Sequence, residues 1–390
     1  MKAIPYGISD FPRIMREDYY YVDKTRFIEM LERQPPYLFL IRPRRFGKSL
    51  LLAMLEAYYS IDYADRFEEL FGELHIGRHP TRRHNSYMVL RFNFSEVSSK
   101  LETVERSFSE YCCMVMKNFI LKYEHLLGSG VWKVVNPDET NPEQMLAALK
   151  EYVSRTDCPR IYLLIDEYDN FTNTILSSYG QERYREKTHG DGLIRGFFNN
   201  VKASTSNAGA AVERLFITGV SPITMDDVTS GFNIGTNISM LPEFNSVIGF
   251  SMEEMREMVS YYKSESALPA DMTVDGLIET MKPWYDNYCF SSWNLDEKVF
   301  NSDMALYFLN SYLLRKRAPE MMIDSNIRTD YSKLRHLVQI DKRFGANASV
   351  IQQIVAEGSI TTNIATSFPA EKMTDTENFK SLLFYFGMLS

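Results

Sequence analysis

Along the chain, short apolar runs alternate with longer stretches whose apolar positions recur at helical spacing. Asp23 to Glu32 places Phe27, Ile28 and Leu31 on one helical face, and Pro35-Pro36 cannot continue the helix. Tyr37-Leu38-Phe39-Leu40-Ile41 follows as a continuous apolar run, the pattern of a strand buried on both faces. A loop from Arg42 to Gly47 leads into Lys48-Ser49-Leu50-Leu51-Leu52-Ala53-Met54-Leu55, a good helix former. Further strands are predicted at 87–94, 160–165 and 214–219, with a weaker candidate at 246–250. Helical segments around 101–127, 142–155 and 191–205 separate them, the mark of a parallel sheet covered by helices. After Phe250, helical patterns at 252–264, 274–284, 302–315, 330–340, 348–357 and 376–387 dominate, and no further strand is expected. The reading is an α/β core over residues 1–250 and a mostly helical region over 251–390.

Composition narrows the class. A chain with 45% hydrophobic and 24% charged residues is neither disordered nor low-complexity. With 43 basic and 51 acidic residues the net charge is −8, which argues against a globally basic nucleic-acid coat. No apolar run approaches the roughly 18 residues of a membrane helix, and the first residues carry no signal-peptide segment. The four cysteines form no CxxC pair, so the expected home is the cytoplasm, with no membrane partner.

The strongest chemical signal is Gly47-Lys48-Ser49 opening a helix directly after a strand and loop. In the P-loop pattern GxxxxGK[ST], backbone N–H groups and the positive helix N-terminus cradle phosphates. The lysine adds charge at the β/γ-phosphates and the hydroxyl coordinates Mg²⁺. Residues Pro43, Arg44, Arg45, Phe46, Gly47, Lys48, Ser49 and Leu50 are therefore the candidate nucleotide cradle. The first glycine of the pattern is replaced by Arg42, and the loop carries three arginines, read either as phosphate contacts or as solvated charge.

A P-loop needs a second strand end bearing carboxylates. Ile161-Tyr162-Leu163-Leu164-Ile165 runs into Asp166-Glu167, placing both acids at the C-terminal edge of the sheet, where ligands bind. Asp166 with Ser49 is the expected Mg²⁺ pair, and Glu167 the residue that orients or deprotonates water. Asp169 would support them. A third strand end places Thr218 as a sensor of the γ-phosphate, with Lys48 and Glu167 completing the catalytic set.

At these residues the sequence resembles the AAA-ATPase-like proteins of bacteria, which typically carry a C-terminal PD-(D/E)xK nuclease-like domain. The resemblance rests on Tyr21-Val22-Asp23-Lys24-Thr25, Arg42-Pro43-Arg44-Arg45-Phe46-Gly47-Lys48-Ser49, Ile165-Asp166-Glu167-Tyr168-Asp169 and Ile217-Thr218-Gly219-Val220-Ser221-Pro222-Ile223. Gly231-Phe232-Asn233-Ile234 and Trp284-Tyr285-Asp286-Asn287-Tyr288 add to it. It implies a P-loop NTPase core of the ASCE/AAA-like type, with another strand between the P-loop strand and the acidic strand, and a helical lid after residue 250. It also implies that RPRRFGKS stands in for the full glycine pattern. By the same analogy Tyr21 to Thr25 would lie near the adenine, although Asp23 equally fits a helix N-cap.

The family's nuclease domain is not found. Asp296-Glu297-Lys298 with Asp286 upstream fits its pattern but lacks an apolar strand and reads as a decoy. The apolar ending Leu382 to Leu389 reads as a cut inside a longer protein or as a natural form without its effector; nucleic acid would be reached through that missing domain. His75, His79 and His84 tempt a metal reading across Pro80, and Arg78, Arg82 and Arg83 a nucleic-acid patch; solvated side chains are the simpler account of both. Cys112-Cys113 and the stripe Met252, Met255, Met258 read as packing. A ring ATPase needs an arginine finger; Arg183, Arg185 and Arg195 lie in the right region, none stands out, and the sequence leaves the oligomeric state open. The reading is an ATP- and Mg²⁺-binding ATPase whose hydrolysis moves residues 251–390 and drives an effector or partner. Its rivals are a nucleotide-gated binding module with little turnover and a small-molecule kinase, against which the water-activating Glu167 speaks.

Overall fold

Five strands form the central sheet of the computed structural model, which describes residues 1–390 apart from 189–192, 204–209, 224–234, 292, 294, 325–345, 374 and 390. In chain order the first region runs α1 (Phe11–Arg16), α2 (Arg26–Arg33), β1 (Tyr37–Ile41), α3 (Lys48–Tyr59), β2 (Met88–Asn93), α4 (Val104–Lys122), α5 (Pro142–Arg155) and β3 (Ile161–Asp166). It continues with α6 (Asn170–Thr188), α7 (Leu193–Ala203), β4 (Val212–Gly219) and β5 (Thr236–Asn237). The strand order is β2-β3-β4-β1-β5 and every pairing is parallel. Parallel pairing demands crossovers over the faces, which is why β1 and β3 are apolar without alternation: helices bury both sides. This is an α/β P-loop NTPase-like fold, with β4 between the P-loop strand β1 and the acidic strand β3, as the resemblance implies.

Beyond it follow β6 (Phe250–Ser251), α8 (Met252–Ser264), α9 (Val274–Tyr285), β7 (Asp286–Tyr288), β8 (Val299–Phe300), α10 (Ser302–Arg315), α11 (Ala346–Glu357) and α12 (Thr376–Tyr385). Strands β6, β8 and β7 make a small antiparallel sheet, contrary to the expectation of no further strand. Runs of two or three residues are too short to show a periodicity. A second apolar cluster, including Phe250, Met255, Met258, Leu277, Met281 and Phe308, is built here. Helix α12 does not join it: Phe379, Leu382, Phe384 and Tyr385 pack into the first cluster with the sheet. The expected helix at 330–340 and the segment Gly231 to Ile234 lie outside the described residues. No helix among the described residues is long and apolar enough to cross a membrane.

Candidate functional site

The loop between β1 and α3 is shaped by two left-handed residues, Arg45 at φ +67° and Gly47 at φ +95°. Gly47 adopts this freely, and the chain turns there into α3, whose first N–H groups have no intrahelical acceptor. Lys48 is buried, and its Nζ donates to the carbonyls of Arg42 (2.9 Å) and Pro43 (2.8 Å). Burial holds its pKa down at about 8, while Asp166, Glu167 and Asp169 pull it back up.

The three arginines of the loop divide the labour. Arg42 is fully buried and points away from the cradle. It donates to the Ile41, Ser239 and Phe244 carbonyls and stacks 3.9 Å from the Phe290 ring centroid. The residue that replaces the first glycine is therefore a strut, and its φ is not left-handed, so no glycine is needed there. Arg45 pairs with Asp303 of α10 at 3.0 Å. Arg44 is half-buried and lines the cleft with the rest of the loop from Pro43 to Leu50. Phe46 is buried edge-on to Tyr288 and Phe290.

At the end of β3, Asp166 is completely buried. Its Oδ1 accepts from Thr218 Oγ1 at 2.6 Å and from the Glu167 N–H at 3.0 Å. Its Oδ2 has no hydrogen-bond partner among the described residues and lies 4.0 Å from Arg91, close enough for charge attraction and too far for a hydrogen bond. Glu167 takes a left-handed conformation, φ +50°, which is uncommon for a side chain of its kind and turns the chain sharply off the strand. Glu167 lines the same cleft as Ser49, and burial raises its pKa against the pull of Lys48. Asp169 accepts from the Val220 and Ser221 N–H groups and from Asn173, tying the β3 turn to the end of β4.

These elements face a cleft of about 940 Å³. Beside the loop it is lined by Tyr21, Val22 and Lys24, by Val247 to Phe250, by Asn301 to Met304 and by Phe386 to Leu389. Lys24 forms a buried pair with Glu254 of α8 at 2.6 Å. Asp23 is not the N-cap of α2, which is Thr25; it accepts from Thr25 and from the His75 N–H instead.

The sequence matches the family model of the AAA-ATPase-like proteins, described as "Predicted AAA-ATPase", over residues 5–229. The chain belongs to the AAA-ATPase-like family. It is also similar to an uncharacterized protein in the vnfD 5′ region of Azotobacter chroococcum mcd 1, 27% identical over 332 residues. That match covers 83% of this chain and 56% of the relative, so the chain spans about half the relative's length.

In this AAA-ATPase-like chain Ser49, Lys48, Asp166 and Glu167 converge on one edge of the sheet, whereas Thr218 is buried behind Asp166. A hydroxyl has one proton, and Thr218 gives it to Asp166, so a γ-phosphate contact would first have to break that bond. Among the described residues no group of three His, Cys, Asp or Glu side chains is arranged for a metal ion. His84 packs on Phe67, and Asp296 sits in an exposed turn and not on a strand. Arg183 and Arg195 do not line the cleft, and the side chain of Arg185 lies outside the described residues. The sequence reading missed Arg91, whose signal is a lone charge in the apolar strand β2.

Proposed function

We propose that this chain binds ATP with Mg²⁺ on the loop Pro43 to Leu50 and hydrolyses it. The observation that carries this reading is the end of β3: a buried Asp166 with one oxygen unpartnered, followed by a left-handed Glu167 on the P-loop cleft. A buried carboxylate oxygen with no hydrogen bond, its nearest cation Arg91 standing 4.0 Å away, is costly until a closer cation or donor arrives, so the residues fit a metal. Ser49 and Asp166 would hold Mg²⁺. When bound, the ion would neutralise phosphate charge during P–O cleavage. Lys48 would leave the Arg42 and Pro43 carbonyls for the β/γ-phosphate oxygens. Glu167 would align a water on the γ-phosphorus and take its proton as ADP leaves; a pKa raised by burial makes it a better base. Residues 251–390 would act as a lid that passes the nucleotide state to an effector or partner.

Substituting Glu167→Gln tests the chemistry. Binding of ATP should persist while phosphate release falls by about a hundredfold or more. Turnover at the wild-type rate would refute the assignment. A second reading, a nucleotide-gated module with little turnover, is favoured by Lys48 being tied to its own loop and by Phe386 to Leu389 lining the cleft. Phosphate release measured alone and with DNA separates the two.

A further inference from the structure

Arg91 is the one charged residue of β2, in Met88-Val89-Leu90-Arg91-Phe92-Asn93. In the β2–β3 register Arg91 faces Leu164 and Asn93 faces Asp166, so Arg91 and Asp166 are diagonal neighbours on one face of the sheet. Its guanidinium spans three groups. One nitrogen donates to Glu56 of α3 at 3.0 Å. The other lies 3.4 Å from the Ser49 carbonyl and 4.0 Å from Asp166 Oδ2, the oxygen that has no hydrogen bond among the described residues. The cation thus stands between the helix that carries Ser49 and the strand that carries Asp166.

We propose that Arg91 is a positioning residue that sets the divalent-cation affinity of the site. The inference rests on the reading that Ser49 and Asp166 hold the metal. A fixed positive charge a few ångströms from a metal-binding carboxylate repels the incoming cation. Glu56 holds the same guanidinium from the other side and can draw it back. Arg91 and Glu56 together form a charge balance: removing the arginine tightens the metal site, and neutralising the glutamate releases the arginine toward Asp166 and weakens it. A plain structural pair joining β2 to α3 would behave otherwise, because losing either partner would loosen the same contact.

The test is a Mn²⁺ titration followed by electron paramagnetic resonance, on the full chain with a saturating non-hydrolysable ATP analogue. Arg91→Gln should bind Mn²⁺ at least about tenfold tighter than the wild type, and Glu56→Gln measurably weaker. Arg91→Lys, which keeps the charge, should stay near the wild type. Equal or weaker Mn²⁺ binding by Arg91→Gln, or a shift of the same sign in the Gln variants of both residues, overturns the proposal while leaving the nucleotide reading intact. Failure of the wild-type chain to bind the analogue with and without metal sinks the nucleotide reading and this inference together.

Discussion

Thr218 and Asp166 are joined across neighbouring strand ends, the threonine hydroxyl donating to the carboxylate at 2.6 Å with both residues fully buried. The bond leaves Asp166 Oδ2 as the carboxylate oxygen without a hydrogen bond among the described residues. Thr218 therefore orients the carboxylate proposed to hold the metal, and its proton is committed to Asp166 rather than to a phosphate. Thr218→Val, similar in shape, should cost about 1–2 kcal/mol in urea unfolding. It should lower phosphate release about tenfold, and Thr218→Ser should restore it. If Thr218→Val instead weakens ATP binding and spares ADP binding, the hydroxyl is the phosphate sensor after all.

Arg42 marks the departure from the usual glycine, and restoring that glycine is expected to harm the protein. The guanidinium satisfies the Ser239 and Phe244 carbonyls and covers Phe290 from within the core. Arg42→Gly would strand buried carbonyls and open a cavity, a loss of about 3 kcal/mol or more. Arg42→Lys should not rescue it, since an ammonium cannot bridge both carbonyls and stack on the ring. Urea unfolding of the two variants checks this; a Gly variant as stable as the wild type would contradict the strut.

How far such features were legible follows from the range of the interaction. The strands β1 to β4 and helices such as Pro142–Arg155 and Met252–Ser264 are written in local periodicity. Asp166 and Glu167 are legible because an apolar run ends abruptly in acid. The role of Arg42 was not, because Ser239, Phe244 and Phe290 are distant in sequence and meet it only in the fold. The same holds for Arg91 with Asp166. Helix α6 escaped because its sequence, rich in serine, threonine and charge, shows almost no apolar stripe.

Lys48 makes the site pH-sensitive. Its folded pKa sits at about 8 because burial disfavours the ammonium, against roughly 10.4 in an unfolded chain. Between those values the unfolded state holds a proton that the folded state has released, so stability from this group rises with pH through the window. Lys24, also held at about 8 by burial, adds to the same trend. On the proposed reading, nucleotide binding runs the opposite way, because phosphates would need the Lys48 ammonium. Affinity for a fluorescent ATP analogue should fall as pH climbs past about 8. Lys48→Arg, charged throughout, should flatten that dependence. A flat wild-type profile to about pH 9.5 would rule out Lys48 as the phosphate partner.

The loop is also gripped from the far side of the cleft. The Asp303 N–H donates to the Arg45 carbonyl at 3.2 Å, its carboxylate pairs with the Arg45 guanidinium at 3.0 Å, and the Gly249 N–H donates to the Phe46 carbonyl at 3.1 Å. Arg45 and Phe46 belong to the loop proposed to hold the phosphates, and these contacts tie it to the start of α10. Burial raises the Asp303 pKa and Arg45 opposes that rise, which ties its charge to the pairing. If residues 251–390 read the nucleotide state, hydrogen exchange at 299–305 should change when a non-hydrolysable ATP analogue binds. Asp303→Ala should shrink that change and shift analogue affinity by roughly three- to tenfold. Exchange at 299–305 that ignores the nucleotide in the wild-type chain would mean that α10 braces the loop without sensing what the loop holds.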